Sequence, residues 1–390
     1  MCQDIREGKF SALIVQPEQL SRMAGHLPRL ARLVGNPDRR FLKKIVRVHV
    51  DEAHSIHTVG CDRYGLPAFR PAWGKLGEFR VRLGKVVVFQ ALSGTQPKHI
   101  KKTIIKHLLF DKKKICHIKL SSNRQNTVYA THPIVGDLTD FRNLDFLVPD
   151  PYPLDTQLPK TLVFHDNIDE CAAAAAYLNN RLPKTVRSKG IVKHYHGGMS
   201  KQYLTEVYEE FSKQDSTCRI LHATEGASTV CHFFLFESLN ARSNNQKQGL
   251  DIPDIEAVIQ YGIPRDVPNA LQRGGRGGRS KDGQSIFLIM YEPWVMDTDL
   301  SVVDFPTSDP DHPTVAKLNK TSKKPERTSV GMIKVIQCKD SCLRHEYAQY
   351  LGDETPEGKP LGLSLINISL TGTFSFKIYN TSVLQSTPWV

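Results

Sequence analysis

Short β-branched runs that stop at polar residues set the strongest limit on how this chain folds. Ile45–Val50 (IVRVHV) runs straight into Asp51-Glu52-Ala53-His54, and Lys85–Leu92 (KVVVFQAL) closes on Ser93-Gly94-Thr95. Runs of this length, rich in Val and Ile, predict strands buried on both faces. Helical patterns lie between and after them: Leu27, Leu30 and Leu33 share a face, and His99–Leu109 reads as a basic helix. Strands alternating with helices predict an α/β fold with a parallel sheet. Ligands of such sheets gather at the carboxyl ends of the strands, where DEAH and SGT both fall. Ala12–Val15 (ALIV) reads as an earlier strand, leading into Gln16–Leu20.

The same grammar returns downstream. Residues from about Ser121 to Lys160 are irregular and Pro-rich, with a second domain starting near Arg124–His132 and then a surface excursion. Strands are predicted at Thr161–Phe164, Ile191–Tyr195, Arg219–Ala223, Ala257–Tyr261 and Ser285–Met290. Helices are predicted at Ile168–Leu182, at Ser200–Ser212 with Ser200 as N-cap, and at Val330–Leu351. The last stretch, from Gly358, holds no Asp or Glu and has no clear period.

At 390 residues the chain suits two domains, with room for a small third. A hydrophobic share of 40% excludes wholesale disorder. No apolar run approaches the roughly 18 residues of a membrane span. The start, MCQDIREGKF, lacks the pattern of a secretory signal. Eight scattered cysteines favour a reducing, intracellular setting. The net charge of +12 suits nucleic acid or an acidic surface and by itself does not choose between them.

Two sets of residues carry chemistry. Adjacent carboxylates at a strand end, Asp51 and Glu52, suit a nucleotide site: one can hold Mg²⁺ through its waters and the other can orient and deprotonate a water. The plain alternative is a surface loop that happens to read DEAH. Gln272-Arg273-Gly274-Gly275-Arg276-Gly277-Gly278-Arg279 places arginines three apart among glycines that allow close backbone approach, which suits a phosphate clamp. Its alternative is a flexible RNA-binding segment of the RGG kind. The strands predicted on either side favour a fixed loop.

In this order and spacing the residues resemble superfamily 2 helicases, and RecQ-type DNA helicases most of all. Gln16–Leu20 resembles the DNA-contacting segment that follows the early motifs, and DEAH at 51–54 resembles motif II. Phe69-Arg70-Pro71-Ala72-Trp73 resembles the end of the aromatic-rich loop, Ser93–Thr95 motif III, Thr161–His165 motif IV, and Gln272–Arg279 motif VI. The resemblance implies two RecA-like (P-loop NTPase type) domains. It places the first, incomplete, at 1–120 and the second at 121–291. A partial zinc-subdomain-like region follows at 292–357, and the tail 358–390 is unassigned. It implies ATP-dependent 3′→5′ unwinding of single-stranded or forked DNA in the nucleus, in recombination and repair, with a basic strand-binding cleft between the lobes. It makes Asp51 the Mg²⁺-side carboxylate and Glu52 the base, with His54 beside them. Arg276 and Arg279 become candidate arginine fingers. Gln272, Gly275 and Asp251 are its candidate nucleotide contacts. Gln19, Phe69, Arg70, Trp73, Ser93, Thr95, His196 and Thr224 are its candidate nucleic-acid contacts.

The chain also departs from the RecQ pattern. It contains no GxxxxGK[ST] phosphate cradle, a motif that lies upstream of the segment matched here, so a truncated chain and weak ATP binding are expected. Ala223–Thr229 resembles the first half of motif V and Gly249–Asp254 the second, with Val230–Gln248 inserted between them. Borders compatible with GT and AG make that insert a candidate retained intron, against the alternative of a genuine surface loop. Cys342 opens a stretch resembling the zinc-subdomain helix, yet no cysteine follows it, and Cys338 with Cys342 gives at most two zinc ligands. After DEAH, Ser55–Gly60 lacks the usual Trp before the Gly. The readings that compete with a DNA helicase are a catalytically inactive DNA-binding remnant and an RNA helicase of the same superfamily.

Overall fold

The computed structural model describes residues 2–22, 25–36, 40–84, 86–153, 157–224, 252, 254–280, 283–303 and 308–354. Among these the chain forms two compact units, one from residues 2–122, 308–327 and 349–354, the other from residues 123–303 and 328–348.

In the first unit, β1 (Arg47–Val50) pairs in parallel with β2 (Val88–Ala91), Val50 facing Ala91. The Lys98–His107 helix packs Ile100 and Ile104, four residues apart and so on one face, into a core with Val50, Ala53, Ile56, Leu76 and Leu108. Each such Ile buried contributes about 1.5–3 kcal/mol. A second cluster joins Val34, Phe41, Leu42, Phe79, Leu83 and Phe89. The expected strand at 12–15 does not form: these residues are in no strand, and Leu13 and Ile14 are exposed rather than buried in a sheet.

The second unit is a six-stranded, all-parallel sheet. Its strands are β3 (Thr127–Pro133), β4 (Thr161–His165), β5 (Val192–Tyr195), β6 (Ile220–Thr224), β7 (Ala257–Tyr261) and β8 (Ser285–Tyr291). Their spatial order is β3-β8-β7-β4-β6-β5. Every residue of β4, β6 and β7 is buried, the polar Thr161, His165, His222, Thr224 and Gln260 included. The chain leaves β4 toward β6 and β5, then returns to build β7 and β8 on the other side. The reversal lies between β4 and β7, and a crevice at such a reversal is where open α/β sheets bind ligands.

Ser200 caps the Lys201–Ser212 helix as expected, its Oγ accepting from Tyr203 N–H. Two expectations need correction here. The excursion after Arg124 is not all surface, because the helical turn Phe141–Leu147 plants Leu144 and Leu147, and then Val148, in the main core. The long helix expected over Val330–Leu351 is two, Val330–Gln337 and Leu343–Leu351, since Cys338 turns to extended backbone and Asp340-Ser341 supply turn formers.

Candidate nucleotide and nucleic-acid sites

In the first unit DEAH sits at the end of β1 as an ordered turn. Ala53 N–H donates to Leu92 O at 2.8 Å, which clips the turn to the end of β2. Asp51 is exposed, and its Oδ1 accepts from Glu52 N–H at 2.9 Å. Glu52 holds φ at +48°, a left-handed conformation that costs a non-glycine residue on the order of 1–2 kcal/mol. His54 is buried beneath, its Nδ1 3.1 Å from Ser93 Oγ and 3.3 Å from Glu52 Oε2. The direction of these contacts follows from proton counting. Ser93 Oγ donates its single proton to Thr95 O at 3.0 Å and accepts from Thr95 N–H at 3.1 Å. It is therefore an acceptor toward His54, whose Nδ1 carries the proton. One hydroxyl thus joins the DEAH and SGT turns.

The candidate nucleic-acid residues of this unit differ in their availability. Phe69 is 83% exposed. Arg70 is engaged by both oxygens of Glu18, at 2.8 and 2.9 Å, and lies over the Trp73 ring at 5.9 Å. Trp73 is half-buried against the core. Gln19 turns inward to close a capping box with Gln16. Thr95 is buried. Glu18, 52 residues before Arg70 in the chain, has no signature in sequence as its partner.

In the second unit the Gln272–Arg279 segment is a helix end followed by a pinned loop. Asp266 caps the Val267–Gly274 helix by accepting from Asn269 N–H at 3.0 Å. Arg124 Nη2 donates to Gly277 O at 2.9 Å, and Asn126 Nδ2 donates to Gly278 O at 2.6 Å and Gly283 O at 2.9 Å. A freely flexible RGG-type segment is thereby excluded for the described part of this loop. Arg276 is half-buried; Arg279 is exposed, its Nε donating to Gly275 O at 3.1 Å. Gln272 is half-buried on the helix.

The arginine that sequence reasoning passed over is Arg273. It is buried, donates to Asp166 Oδ1 at 2.7 Å and to Gln260 Oε1, and lies over the Phe164 ring at 5.5 Å. Its spacing of three from Ala270 and Val267, both buried, was the available signal. Thr224 and His196 close β6 and β5 and are both buried; burial holds the His196 imidazole below its ordinary pKa. Asp251 and the insert Val230–Gln248 lie outside the described residues. Cys342 is half-buried, with its carbonyl accepting from His345 N–H at 2.9 Å, and Cys338 Sγ contacts Ser341 Oγ at 3.5 Å.

Residues 145–281 match the family described as helicase conserved C-terminal domain. Over 284 residues the chain is 22% identical to the ATP-dependent helicase SGS1 of Saccharomyces cerevisiae, covering 73% of this chain and 16% of that protein. It is 30% identical over 135 residues to the DEAD-box ATP-dependent RNA helicase 25 of Arabidopsis thaliana, covering 33% and 20%. The Mycobacterium smegmatis helicase Lhr, solved bound to ssDNA and AMP-PNP, aligns at a TM-score of 0.43 with 16% identity, over 66% of this chain and 30% of that one. The chain spans 16% and 20% of the lengths of the two curated relatives. The α/β fold is RecA-like, and residues 145–281 within it match a helicase C-terminal domain. These two relatives are an ATP-dependent helicase and a DEAD-box ATP-dependent RNA helicase.

Proposed function

We propose that this chain belongs to an ATP-dependent helicase of RecQ type that moves 3′→5′ on DNA, in the nucleus and in recombination and repair. The observation that carries the reading is the single hydroxyl of Ser93 tying the DEAH turn to the SGT turn through His54. Such a tie lets a change at the carboxylates reach the segment assigned to the nucleic acid.

The carboxylates fit Mg²⁺ held through water: Asp51 is exposed, and the +48° φ of Glu52 sets its carboxylate apart at the strand end. The 390 residues of this chain do not include a GxxxxGK[ST] phosphate cradle. Bound MgATP supplies the transferable phosphoryl group. Glu52 would accept the proton of an attacking water, with His54 Nδ1 3.3 Å from its Oε2 to orient it. Phe69, exposed beside Arg70, is the residue best presented to stack on a base.

The test is ATP hydrolysis by the full chain, alone and with single-stranded DNA or RNA of one sequence. Stimulation by DNA, lost by at least about 100-fold in Glu52→Gln, supports the reading. Stimulation by RNA alone would move the chain to the RNA branch. A second reading is a non-hydrolysing strand binder. Salt-sensitive DNA binding without any ATP turnover would establish that one.

A further inference from the structure

Away from the DEAH turn, the first unit gathers four ligand-type side chains from distant parts of the chain. His57, His99, Asp309 and Asp311 each bring a donor atom within 4.8 Å of all the others. His57 belongs to the helical turn Ser55–Thr58, His99 to the Lys98–His107 helix, and the aspartates to a tight turn in residues 308–312. His57, His99 and Asp311 are 8%, 9% and 4% exposed, and Asp309 is partly open to solvent.

His57, Asp309 and Asp311 are each already oriented by a further group. Thr103 Oγ1 donates its proton to His99 O at 3.2 Å, so it accepts from His57 Nδ1–H at 3.0 Å. That fixes the tautomer and leaves His57 Nε2 with a bare lone pair. This atom is buried and has no hydrogen-bond partner. A buried acceptor left unsatisfied costs about 1–3 kcal/mol unless something fills it. Tyr350 Oη donates to Asp311 at 2.7 Å, and Tyr64 Oη donates to Asp309 Oδ2 at 2.8 Å. Imidazole held by hydroxyl, and carboxylates held by phenols, are the outer contacts that metal ligands use. Burial, with the nearby Arg63 charge, pushes the His57 pKa down to about 3, which keeps the ring available as a neutral donor.

We propose that His57, His99, Asp309 and Asp311 bind one divalent transition-metal ion, zinc by preference, which staples residues 308–312 to the two histidine-bearing helices. Two imidazoles and two carboxylates make a four-ligand set of the kind zinc accepts. The charge balance suits a cation: two carboxylates outweigh the one guanidinium of Arg63. His99 Nε2 lies 2.7 Å from Asp311 Oδ2 and 3.8 Å from Asp309 Oδ1. Around zinc at about 2.0 Å, tetrahedral donors stand about 3.3 Å apart. Entry of the ion therefore displaces the His99 Nε2 proton and spreads or draws in these atoms by about half an ångström. The site is separate from Cys338 and Cys342, which belong to the second unit.

The test uses the full chain, stripped with chelator, reloaded with ZnCl₂ and dialysed. One equivalent of zinc should be retained, and His57→Ala and Asp311→Asn should each weaken retention at least about tenfold. The pair Cys338→Ser and Cys342→Ser should leave it unchanged. Cobalt substitution should give the visible bands of a tetrahedral nitrogen–oxygen site without sulfur-to-cobalt charge transfer. That spectrum, taken on the unaltered chain, decides the matter if the His57 variant does not fold. Failure to retain zinc, retention unaffected in a folded His57→Ala chain, or a sulfur charge-transfer band would overturn the proposal.

Discussion

His54 Nδ1 lies 3.1 Å from Ser93 Oγ, so the residue that closes DEAH donates to the residue that opens SGT. Neither turn contains this bond by itself; it depends on β1 and β2 ending side by side, Val50 against Ala91. Replacing Ser93 by Ala removes the hydroxyl that the buried His54 Nδ1–H meets and leaves Thr95 N–H without its acceptor. The expected cost is about 1–2 kcal/mol, read as a shift in urea midpoint at constant slope. Ser93→Thr, which keeps the hydroxyl, should recover most of it. An unchanged midpoint in the Ala variant would show that the contact contributes nothing.

Arg273 is the second place where one side chain organises a strand end. Its guanidinium serves Asp166, which is partly exposed, and Gln260, which is fully buried. Arg273→Ala frees Asp166 to rehydrate but strands the Gln260 carbonyl, so a loss of about 2–3 kcal/mol is expected. Arg273→Lys should not rescue it, because a single ammonium cannot serve both partners while lying flat over Phe164. Unfolding of the two variants by denaturant checks both statements.

The second unit's sheet was legible where its strands are buried on both faces; Ala257–Tyr261 is a strand at the very residues its pattern names, whereas the runs at 45–50 and 85–92, read as buried, form the largely exposed β1 and β2, with Val46 and Val88 open to solvent. Ala12–Val15 carries the same kind of run and is no strand, since a run reports apolarity and not a partner. The arginines of the glycine-rich segment show a different limit. Their R-x-x-R-x-x-R spacing is uniform, yet Arg273 points into the sheet while Arg279 is exposed, a distinction made by where the helix ends at Gly274. The His57–Asp311 cluster was invisible in sequence, because its members are brought together only by the tertiary path of residues 308–312.

The second unit should lose stability in mild acid. His222 is wholly buried beside His165, whose Nε2 lies 2.9 Å from His222 Nδ1, and burial followed by the neighbouring histidine holds its pKa well below the ordinary 6.5. The unfolded chain then binds a proton near pH 6.5 that the folded chain refuses. The unfolded state carries the extra proton below that pH, so stability is full above it and falls as pH drops, by up to about 1.4 kcal/mol per pH unit. Denaturant midpoints from pH 7.5 to 5 should show the fall, and His222→Gln should flatten it. An equal slope in that variant would assign the acid sensitivity to other groups.

The glycines of the arginine-rich loop make the most local prediction. A Cβ on Gly274 would sit 2.6 Å from the Phe287 ring, whose position is fixed within β8. On Gly278 it would meet Ser285 Oγ at 2.8 Å, and the φ of +59° adds strain for any other residue. Gly197, after β5, has open space around it. Gly274→Ala should therefore cost about 1–3 kcal/mol through overpacking, and Gly278→Ala a similar amount through contact and backbone together. Gly197→Ala should be near neutral or slightly stabilising, since it restricts the unfolded chain and touches nothing. Thermal unfolding of the three variants in parallel ranks them; a Gly274→Ala chain as stable as Gly197→Ala would mean that β8 yields where the close packing of Phe287 says it cannot.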